Sequence, residues 1–518
     1  METRDYDVVV LGGAFSGSAA ATLLRREAPE LSVLVVEKAP RFDAKVGEAT
    51  TEMSAMFLTR RLALWQHLEA EHLPKEGLRY WFVNERVRNH GDASETGGFL
   101  RSTIPSFQLR RDVLDEHLLA VAAAEGATVW RPARAVDVSL AGERRRVTVE
   151  RGAERLEVTC RWLLDASGRA TFLGKRLGLV ERTDEHPTTS WWGRWRDVRH
   201  LDDLAARRYP ALAAGNVGSR RLATNHYVGR GYWVWVIPLG NGETSIGVVF
   251  DRRLLDLDPE GELRGDPRAA YERFLRAHPL LAELLDGATL RVEDFRGYSR
   301  LAYLCREYAG EGWALLGDAA AFLDPYYSPG LDHAAFSVEA SVELVKAAAR
   351  GEPMAARIAE HNATFRRSYR RFFEAIYRDK YFYMGEHDLL SAAFLIETAQ
   401  YYLFVVTPAY RLHKKFFWMP VLGPREAAFN YWLMKTANRR FRKIAEWRRA
   451  AGETGRRNHG RRLVAYFAPN SATLRMVARG LRLWAAAELD ALRLRVRLRL
   501  ARGGATPETQ RAGAPTPG

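Results

Sequence analysis

A glycine-rich turn near the start of the chain has residue types suited to holding a phosphate group. Residues 7–11 read as a buried strand, and residues 17–26 read as a helix of small and apolar residues. The turn that joins them includes G-G-A-F-S-G, and a second strand, residues 31–36, leads to Glu37. Glycines let a pyrophosphate approach the N–H groups at the helix N-terminus, and a carboxylate at this distance can bind a ribose hydroxyl. The residues predicted to bind a dinucleotide are Gly12, Gly13, Ala14, Gly17 and Glu37.

Two further aspartates lie beside small residues where an apolar strand ends. Asp165 belongs to L-D-A-S-G-R at residues 164–169, and Asp318 belongs to A-L-L-G-D-A-A at residues 314–320. Either segment by itself could be an ordinary turn. In this order after the first glycine turn, they predict a nucleotide-type cofactor whose ribityl or phosphate groups pass close to the backbone.

Two tryptophans are spaced for one face of a strand. Residues 231–238 read G-Y-W-V-W-V-I-P. In a strand, Trp233 and Trp235 project to the same side, and Pro238 ends the pairing. Asn241-Gly242 then predicts a hairpin turn to the next strand. The alternative role for the two indoles is core packing, because aromatic residues are enriched in strands.

The order of the three glycine-containing segments resembles that of FAD-dependent monooxygenases of the hydroxybenzoate-hydroxylase type, over about residues 5–340. The resemblance implies FAD rather than NAD as the cofactor. It implies that Asp318 contacts the ribityl chain. It also implies that Arg111, which opens an R-x-x-L pattern with Leu114, lies near the flavin.

Three segments narrow this resemblance. They are F-L-D-P-Y-Y-S-P-G at residues 322–330, the W-x-W-x-I-P segment, and V-G-E-A-T at residues 46–50. Together they resemble the flavin-dependent halogenases. The resemblance implies that FAD is used as FADH2 supplied by a flavin reductase, and that chloride or bromide is oxidised to hypohalous acid. The implied substrate is an electron-rich aromatic compound of the phenol or pyrrole type, either free or tethered to an acyl or peptidyl carrier protein.

The halogenase resemblance assigns roles to particular residues. Lys75 matches the lysine that hands over or activates the oxidant, and burial would favour the neutral, nucleophilic amine. The alternative is a solvated loop lysine beside Glu76. Trp233 and Trp235 are the other candidate catalytic residues. The candidate halide and flavin loop consists of Pro325, Ser328, Gly330 and Leu331.

Two residues depart from the halogenase pattern. Tryptophan halogenases carry a glutamate before the motif serine, where this chain has Tyr327, which argues against free tryptophan as substrate. Pro329 follows the serine and has no N–H to offer a halide, so only Gly330 and Leu331 remain as donors. This keeps open a second hypothesis, an FAD-dependent aromatic or polyketide hydroxylase or oxidase without halogenation. A third is a flavin-binding protein without turnover, docked at membranes.

The composition is that of a globular protein with a large core. The chain has 518 residues, 47% hydrophobic and 27% charged, which suggests about two to four domains. Its two cysteines make neither a disulfide framework nor a metal cluster. Asp324, Asp332 and His333 lack the further His or Cys of a metal site, so no metal is predicted. His226 is expected to be a packed core residue.

The positive charge of the chain is concentrated near its end. Residues 435–502 contain 19 basic and 4 acidic side chains, against a net charge of +15 for the whole chain. Residues 1–434 are therefore close to neutral. The basic segment predicts attachment to an anionic membrane surface or to an acidic carrier protein, and the alternative is a helix docked on the protein body. No motif predicts nucleic-acid binding.

The elements predict an α/β protein. A doubly wound FAD-binding domain is interleaved with a β-sheet substrate domain, and a helical C-terminal region covers them. A cytoplasmic location, with or without peripheral membrane attachment, is expected because no signal peptide is recognisable. The predicted division is FAD-binding parts at 1–80, 108–185 and 296–345, substrate-domain parts at 81–107 and 186–295, a helical pocket cover at 346–434, a basic helical region at 435–502 and a disordered tail at 503–518.

Overall fold

The computed structural model describes residues 3–98, 104–214, 218–259, 261–262, 265–412 and 421–503. Two large sheets organise this part of the chain, and helices cover both. The predicted tail therefore lies outside the described residues, apart from residue 503.

The first sheet has a parallel centre. The strand Thr3–Leu11 lies between Glu154–Asp165 and Val33–Val36 and is parallel to both. Its residues Val8, Val9 and Val10 are fully buried, as expected for a strand covered on both faces. The order across the sheet is Ala309–Gly310, Trp313–Leu315, Glu154–Asp165, Thr3–Leu11, Val33–Val36 and Thr128–Trp130, with Arg145–Arg151 pairing to Glu154–Asp165 and Arg134–Ser139 pairing to Arg145–Arg151.

Three helices pack beside this sheet and position the cofactor motifs. Phe15–Glu27 follows the glycine turn, and it packs against both Arg111–Ala124 and Gly330–Ala349. The apolar periodicity of residues 111–124 predicts a helix with the bounds observed, and the sequence also predicts a helix from about residue 330.

The second sheet is mostly antiparallel. Its order is Thr289–Leu290, Thr188–Arg196, Thr244–Asp251, Tyr232–Pro238, Thr224–Gly229, Leu78–Phe82, Ser94–Gly98 and Arg462–Ala465, with Arg296–Ser299 also pairing to Thr188–Arg196. The predicted turn at Asn241-Gly242 joins two of these strands, and Gly242 adopts a φ of +83° there.

Two small sheets and several short helices connect the large sheets. Leu73–Pro74 pairs with Phe107–Gln108, and Tyr303–Cys305 lies between Val180–Arg182 and Ala321–Phe322. The short helices and helical turns are Glu52–Met56, Phe57–Arg61, Trp65–Glu71, Gly168–Ala170, Phe172–Arg176, Leu201–Arg208, Pro210–Ala214, Pro267–Ala277, Pro279–Leu284, Val292–Asp294 and Gly317–Ala319.

The last third of the described chain is helical, as predicted. Its elements are Ala355–Phe372, Phe373–Tyr377, Lys380–Tyr383, His387–Tyr401, Tyr402–Val406, Thr407–Leu412, Arg425–Ala427, Ala428–Ala450 and Ala472–Gly503. By length and composition, the helical stretch His387–Arg411 could cross a membrane, but 72% of its apolar window is buried inside the protein. That burial is typical of a core helix.

Part of the basic segment, residues 435–502, is built into the body of the protein. The strand Arg462–Ala465 pairs in parallel with Ser94–Gly98 and so belongs to the second sheet. The helix Ala472–Gly503 packs along His387–Tyr401. Arg448 is buried between the carboxylates of Glu386 and Asp388. The segment is basic, but part of it is structural.

The predicted domain boundaries stay a prediction. Five of the seven fall inside regular elements, which are the strands Leu78–Phe82 and Phe107–Gln108 and the helices Gly330–Ala349, Ala428–Ala450 and Ala472–Gly503.

Candidate functional site

The glycine turn has no room for a side chain at two of its positions. Gly12 has a φ of +101°, and a Cβ there would lie 2.5 Å from the carbonyl oxygen of Ala166. A Cβ at Gly17 would overlap the carbonyl of Gly12. Glycine at both positions therefore lets the helix Phe15–Glu27 start directly against the strand, with its N–H groups toward the turn.

Glu37 supports the same turn. One carboxylate oxygen accepts a hydrogen bond from the N–H of Gly13 at 2.7 Å, and the other accepts one from the N–H of Ala39 at 2.7 Å. Each oxygen keeps a lone pair for a further donor. The side chain lies where a strand parallel to the first one ends, and this is the edge at which α/β sheets bind nucleotides.

Arg111 fixes the V-G-E-A-T loop. Its guanidinium contacts both oxygens of Asp115 at 3.1 Å and donates to the carbonyls of Val46 at 3.3 Å and Gly47 at 3.4 Å. Gly47 has a φ of +91°, and a Cβ there would lie 2.5 Å from the guanidinium. Arg111 therefore sets the backbone of this loop.

The two strand-end aspartates differ. Asp165 is fully buried, and its oxygens accept the N–H groups of Ser167 at 2.9 Å and Leu173 at 2.7 Å, so it stabilises its own turn. Asp318 instead lines the large cavity described below. Burial raises the pKa of Asp318, and the charges of Arg169 and Arg111 oppose this shift. Of the two, Asp318 is available to a ligand.

These residues fit FAD. The glycine turn, Glu37 and Asp318 all follow strands of one parallel group at its carboxyl edge. The turn leaves backbone space that a Cβ would fill, as a bound pyrophosphate needs.

The candidate halide loop has a strained backbone. Tyr327 and Ser328 have φ values of +72° and +55°, the left-handed region that side chains other than glycine rarely adopt. The N–H of Ser328 donates to the carbonyl of Pro325 at 2.9 Å and closes the turn. Pro329 comes immediately before the helix Gly330–Ala349, so the N–H groups of Gly330 and Leu331 lie in its first turn.

Lys75 lies inside the protein. It is 4% exposed, and its Nζ donates to the carbonyl oxygen of Thr50 at 2.6 Å. Burial lowers the pKa of Lys75 to about 8, although the charges of Glu52 and Asp332 act in the opposite direction. The interpretation of Lys75 as a solvated loop lysine is therefore wrong.

One cavity of about 710 Å³ connects these features. Lys75, Asp318, Pro329 and Gly330 line it together with many aromatic side chains. Among the latter are Phe322, Tyr327, Phe336, Phe372, Phe394 and Phe429. The structure thus brings the candidate lysine, part of the candidate halide loop and a cofactor residue to one apolar space.

Trp233 and Trp235 are buried, and neither is among the described residues that line this cavity. The indole N–H of Trp233 donates to the hydroxyl of Tyr381 at 2.9 Å, and that of Trp235 donates to Ser245 at 3.1 Å. The tyrosine in turn donates to Asp324 at 2.7 Å. Their expected catalytic role stays a prediction, and the contacts seen here are those of packing and support.

Asp332 connects the helix Gly330–Ala349 with residues 50–54, the segment that also contacts Lys75. Its carboxylate accepts the N–H of Ser54 at 2.9 Å, the hydroxyl of Tyr401 at 3.1 Å and the hydroxyl of Thr51. Burial raises the pKa of Asp332 to about 6. From the sequence alone, Asp332 is a candidate only for metal ligation, although its place in the first turn of a helix is a signal for another role.

A second buried network lies at the cavity wall. The hydroxyl of Tyr327 donates to Glu397 at 2.7 Å, and both oxygens of that carboxylate lie 2.8 Å from Nζ of Lys380. Sequence reasoning missed Glu397 and Lys380. The one signal was a glutamate that interrupts an apolar helical run.

The other histidine and metal predictions concern residues of the core. His226 is buried, its Nδ1 lies 3.2 Å from the carbonyl oxygen of Arg79, and burial lowers its pKa to about 3. It is a packed core residue, as expected. Within the described ranges, no three His, Cys, Asp or Glu side chains are grouped so that they could hold a metal ion.

Comparison with known families identifies the fold. A family model described as an FAD binding domain matches residues 5–358. The chain belongs to this family. The predicted cofactor, FAD, and the predicted α/β architecture are therefore confirmed.

Several curated relatives of this chain are named as halogenases or chlorinases. A flavin-dependent halogenase of Dictyostelium discoideum, chlA, is 29% identical over 66% of this chain and 60% of its own length. A 1H-pyrrole-2-carbonyl-(peptidyl-carrier protein) chlorinase of Pseudomonas fluorescens is 26% identical over 73% of this chain and 84% of its own length. The resemblance to this group that the motifs indicated is confirmed. This chain spans less than two thirds of the length of the Dictyostelium relative.

Solved halogenase structures share the fold. Halogenase PltM, in complex with phloroglucinol and FAD, superposes with a TM-score of 0.68 at 19% identity, covering 93% of this chain and 96% of that one. The myxobacterial chondrochloren halogenase CndH gives a TM-score of 0.61 at 19% identity, covering 93% and 97%. The helical C-terminal region falls within this coverage.

Proposed function

We propose that this protein is an FADH2- and O2-dependent halogenase that acts on an electron-rich aromatic substrate through hypohalous acid and Lys75. The proposal rests on one observation, which is that Lys75 and the halide-loop residues Pro329 and Gly330 line the same largely apolar cavity. Bound reduced FAD would supply the electrons that activate oxygen, and oxidation of chloride or bromide would give hypohalous acid.

The glycine turn, Glu37 and Asp318 would hold the cofactor, with Arg111 positioning the loop beside it. The halide would bind at the N–H groups of Gly330 and Leu331, where the dipole of a 20-residue helix favours an anion. Pro329 removes one donor from this site.

Lys75 would act between the halide loop and the substrate. A pKa of about 8 leaves part of the amine neutral near pH 7. A neutral amine can exchange one N–H for an N–halogen bond, with water leaving from the hypohalous acid, and a protonated amine can donate a hydrogen bond to that acid. Both routes need the buried position, which also keeps bulk water from the oxidant.

The cavity fits an aromatic substrate of the phenol or pyrrole type. Its volume and aromatic wall are those of a site for a small organic molecule. A structural neighbour was solved with phloroglucinol, a phenol, and one relative is named for a carrier-bound pyrrole. Partners of this chain would be a flavin reductase and, for a tethered substrate, an acyl or peptidyl carrier protein.

We also propose that the protein is cytoplasmic and that its basic segment binds a partner. Cys160 and Cys305 are buried and unpaired, as expected in the cytoplasm. The basic surface of the segment 435–502 would bind an acidic carrier protein or an anionic membrane surface, as the sequence analysis predicts.

A hydroxylase or oxidase without halogenation is the second candidate function. Pro329 favours it, because it removes a halide donor that the family pattern otherwise supplies. In that case the same cavity would hold the aromatic ring, and Lys75 would have no halide to transfer.

Product analysis separates the two candidates. The protein, FAD, a flavin reductase with NADH, and a panel of phenols and pyrroles would be incubated in chloride, in bromide and in halide-free buffer. Mass spectrometry should find products that carry the isotope pattern of the halide supplied. Oxygenated products that are the same in all three buffers would overturn the halogenase proposal in favour of the second candidate.

A further inference from the structure

Tyr327 has an unusual environment for a residue at a cavity wall. Its hydroxyl donates a 2.7 Å hydrogen bond to Glu397, and both side chains line the cavity. The backbone at Tyr327 is left-handed, with a φ of +72°. Such a conformation is costly for a bulky residue and persists only where the surroundings hold it.

Glu397 holds the tyrosine proton firmly. Its carboxylate is paired with Lys380 through two contacts of 2.8 Å, and it also accepts the amide N–H of Asn438 at 2.6 Å. Lys380 is fully buried. An ion-paired carboxylate accepts hydrogen bonds and has none to donate, so it fixes the direction of the bond from the tyrosine.

The hydrogen bond to Glu397 therefore fixes how the Tyr327 hydroxyl can interact with a ligand in the cavity. A phenolic hydroxyl has one proton, and at Tyr327 this proton is committed to Glu397. Only oxygen lone pairs remain for a ligand. Phe394, which also lines the cavity, lies beside the tyrosine with the two ring planes 28° apart and the ring centroids 6.4 Å apart.

We propose that Tyr327 is a specificity-determining residue that accepts a hydrogen bond from an aromatic O–H or N–H group of the substrate. A ring that carries such a donor would be held by it, and a ring that carries only an acceptor, such as a methyl ether, would leave the tyrosine oxygen unpaired. This inference rests on the proposed function, because it specifies the hydrogen-bond donor that the substrate of the proposed enzyme would carry. Such a residue would make the site prefer phenols and pyrroles over rings that carry only hydrogen-bond acceptors.

The test compares two probes that differ by one hydrogen-bond donor. The dissociation constants of 2-naphthol and 2-methoxynaphthalene would be measured by calorimetry with the FAD-loaded protein, without halide or reductant. The wild type should bind 2-naphthol about tenfold more tightly, as one buried hydrogen bond allows. Tyr327→Phe should reduce this preference to about twofold or less. Tyr431→Phe should keep it, since the Tyr431 hydroxyl likewise donates to a carboxylate, that of Glu374, but Tyr431 is not among the described residues lining the cavity.

Several results would overturn the inference. They are equal binding of the two probes by the wild type, no binding of either at millimolar concentration, or an unchanged preference in Tyr327→Phe. The wild-type comparison stands even if the variant does not fold. Because no turnover is needed, a preserved donor preference together with the absence of halogenated products would contradict the proposed function alone.

Discussion

Lys75 and Thr50 are joined by a hydrogen bond of 2.6 Å from the buried amine to a backbone carbonyl. The next residues along the chain, Thr51 and Ser54, hold Asp332 in the first turn of the helix Gly330–Ala349. One short segment therefore positions both the candidate catalytic amine and the helix end proposed to bind halide.

Lys75→Ala should separate halogenation from flavin oxidation. The variant loses the amine but none of the residues proposed to hold FAD. We expect halogenated product to fall by about 10²-fold or more, while FADH2 oxidation and oxygen consumption continue. Lys175→Ala is the matched control, since Lys175 is exposed on a short helix. Full halogenation by Lys75→Ala would remove the residue from the mechanism.

The pH dependence of halogenation should report the amine of Lys75. Its folded pKa of about 8 lies below the ordinary value of 10.5. If the neutral amine reacts, the rate of product formation rises with pH through a midpoint near 8, and FADH2 oxidation shows no such midpoint. A rate that falls through pH 8 would instead favour hydrogen-bond donation by the protonated amine.

The same pKa has a consequence for stability. A lysine whose folded pKa is lowered destabilises the fold fully below about pH 8, and this cost disappears as the pH rises to 10.5. Lys75→Met should therefore increase the free energy of unfolding at pH 7, by up to roughly 3 kcal/mol, and by much less at pH 10.5. Urea melts at the two pH values measure this difference. An equal effect at both would contradict the lowered pKa.

Pro329→Ala should strengthen halide binding. The substitution restores an N–H immediately before the first turn of the helix, and a hydrogen bond to an anion contributes about 1.5–3 kcal/mol. The KM for chloride should fall by about tenfold or more, with FAD affinity unchanged. Steady-state product formation over a chloride series gives the KM. An unchanged KM would show that the halide does not bind at this turn.

Asp332→Asn should alter both halide affinity and acid stability. Removing a carboxylate from the first turn reduces repulsion of an anion, so the KM for chloride should fall above pH 6. The folded pKa of Asp332 is raised to about 6, so its favourable contribution is present below pH 3.8 and is lost as the pH rises through 6. The wild type should therefore lose stability relative to the variant between pH 4 and 7. Parallel thermal melts across that range would show this, and a constant difference would contradict it.

Local patterns accounted for much of the cofactor site. The glycine turn, the helix Arg111–Ala124 and the helix that starts at Gly330 depend on neighbouring residues, and periodicity and turn chemistry are sufficient to find them. The candidate role of Lys75 follows from its position between the V-G-E-A-T segment and the aromatic residues 80–82. Its burial was not predictable, because the residues that enclose it come from distant parts of the chain.

The rest of the site depends on contacts between distant residues. Tyr327 and Glu397 are 70 positions apart, and nothing in either local sequence indicates the bond between them. The strand spacing of Trp233 and Trp235 predicts one shared face, but it does not say whether that face borders the cavity. The charge count of residues 435–502 likewise could not show that a strand within them joins a sheet.

That strand affects how the protein is made. The strand Ser94–Gly98 pairs on one side with Leu78–Phe82, but its partner on the other side is Arg462–Ala465, more than 360 residues later. During synthesis this edge therefore stays uncovered until nearly the whole described chain has left the ribosome, and an uncovered strand edge is a template for association with other chains. Fragments that end before residue 462 should consequently aggregate when expressed, and productive folding should depend on chaperones that occupy this edge in the meantime.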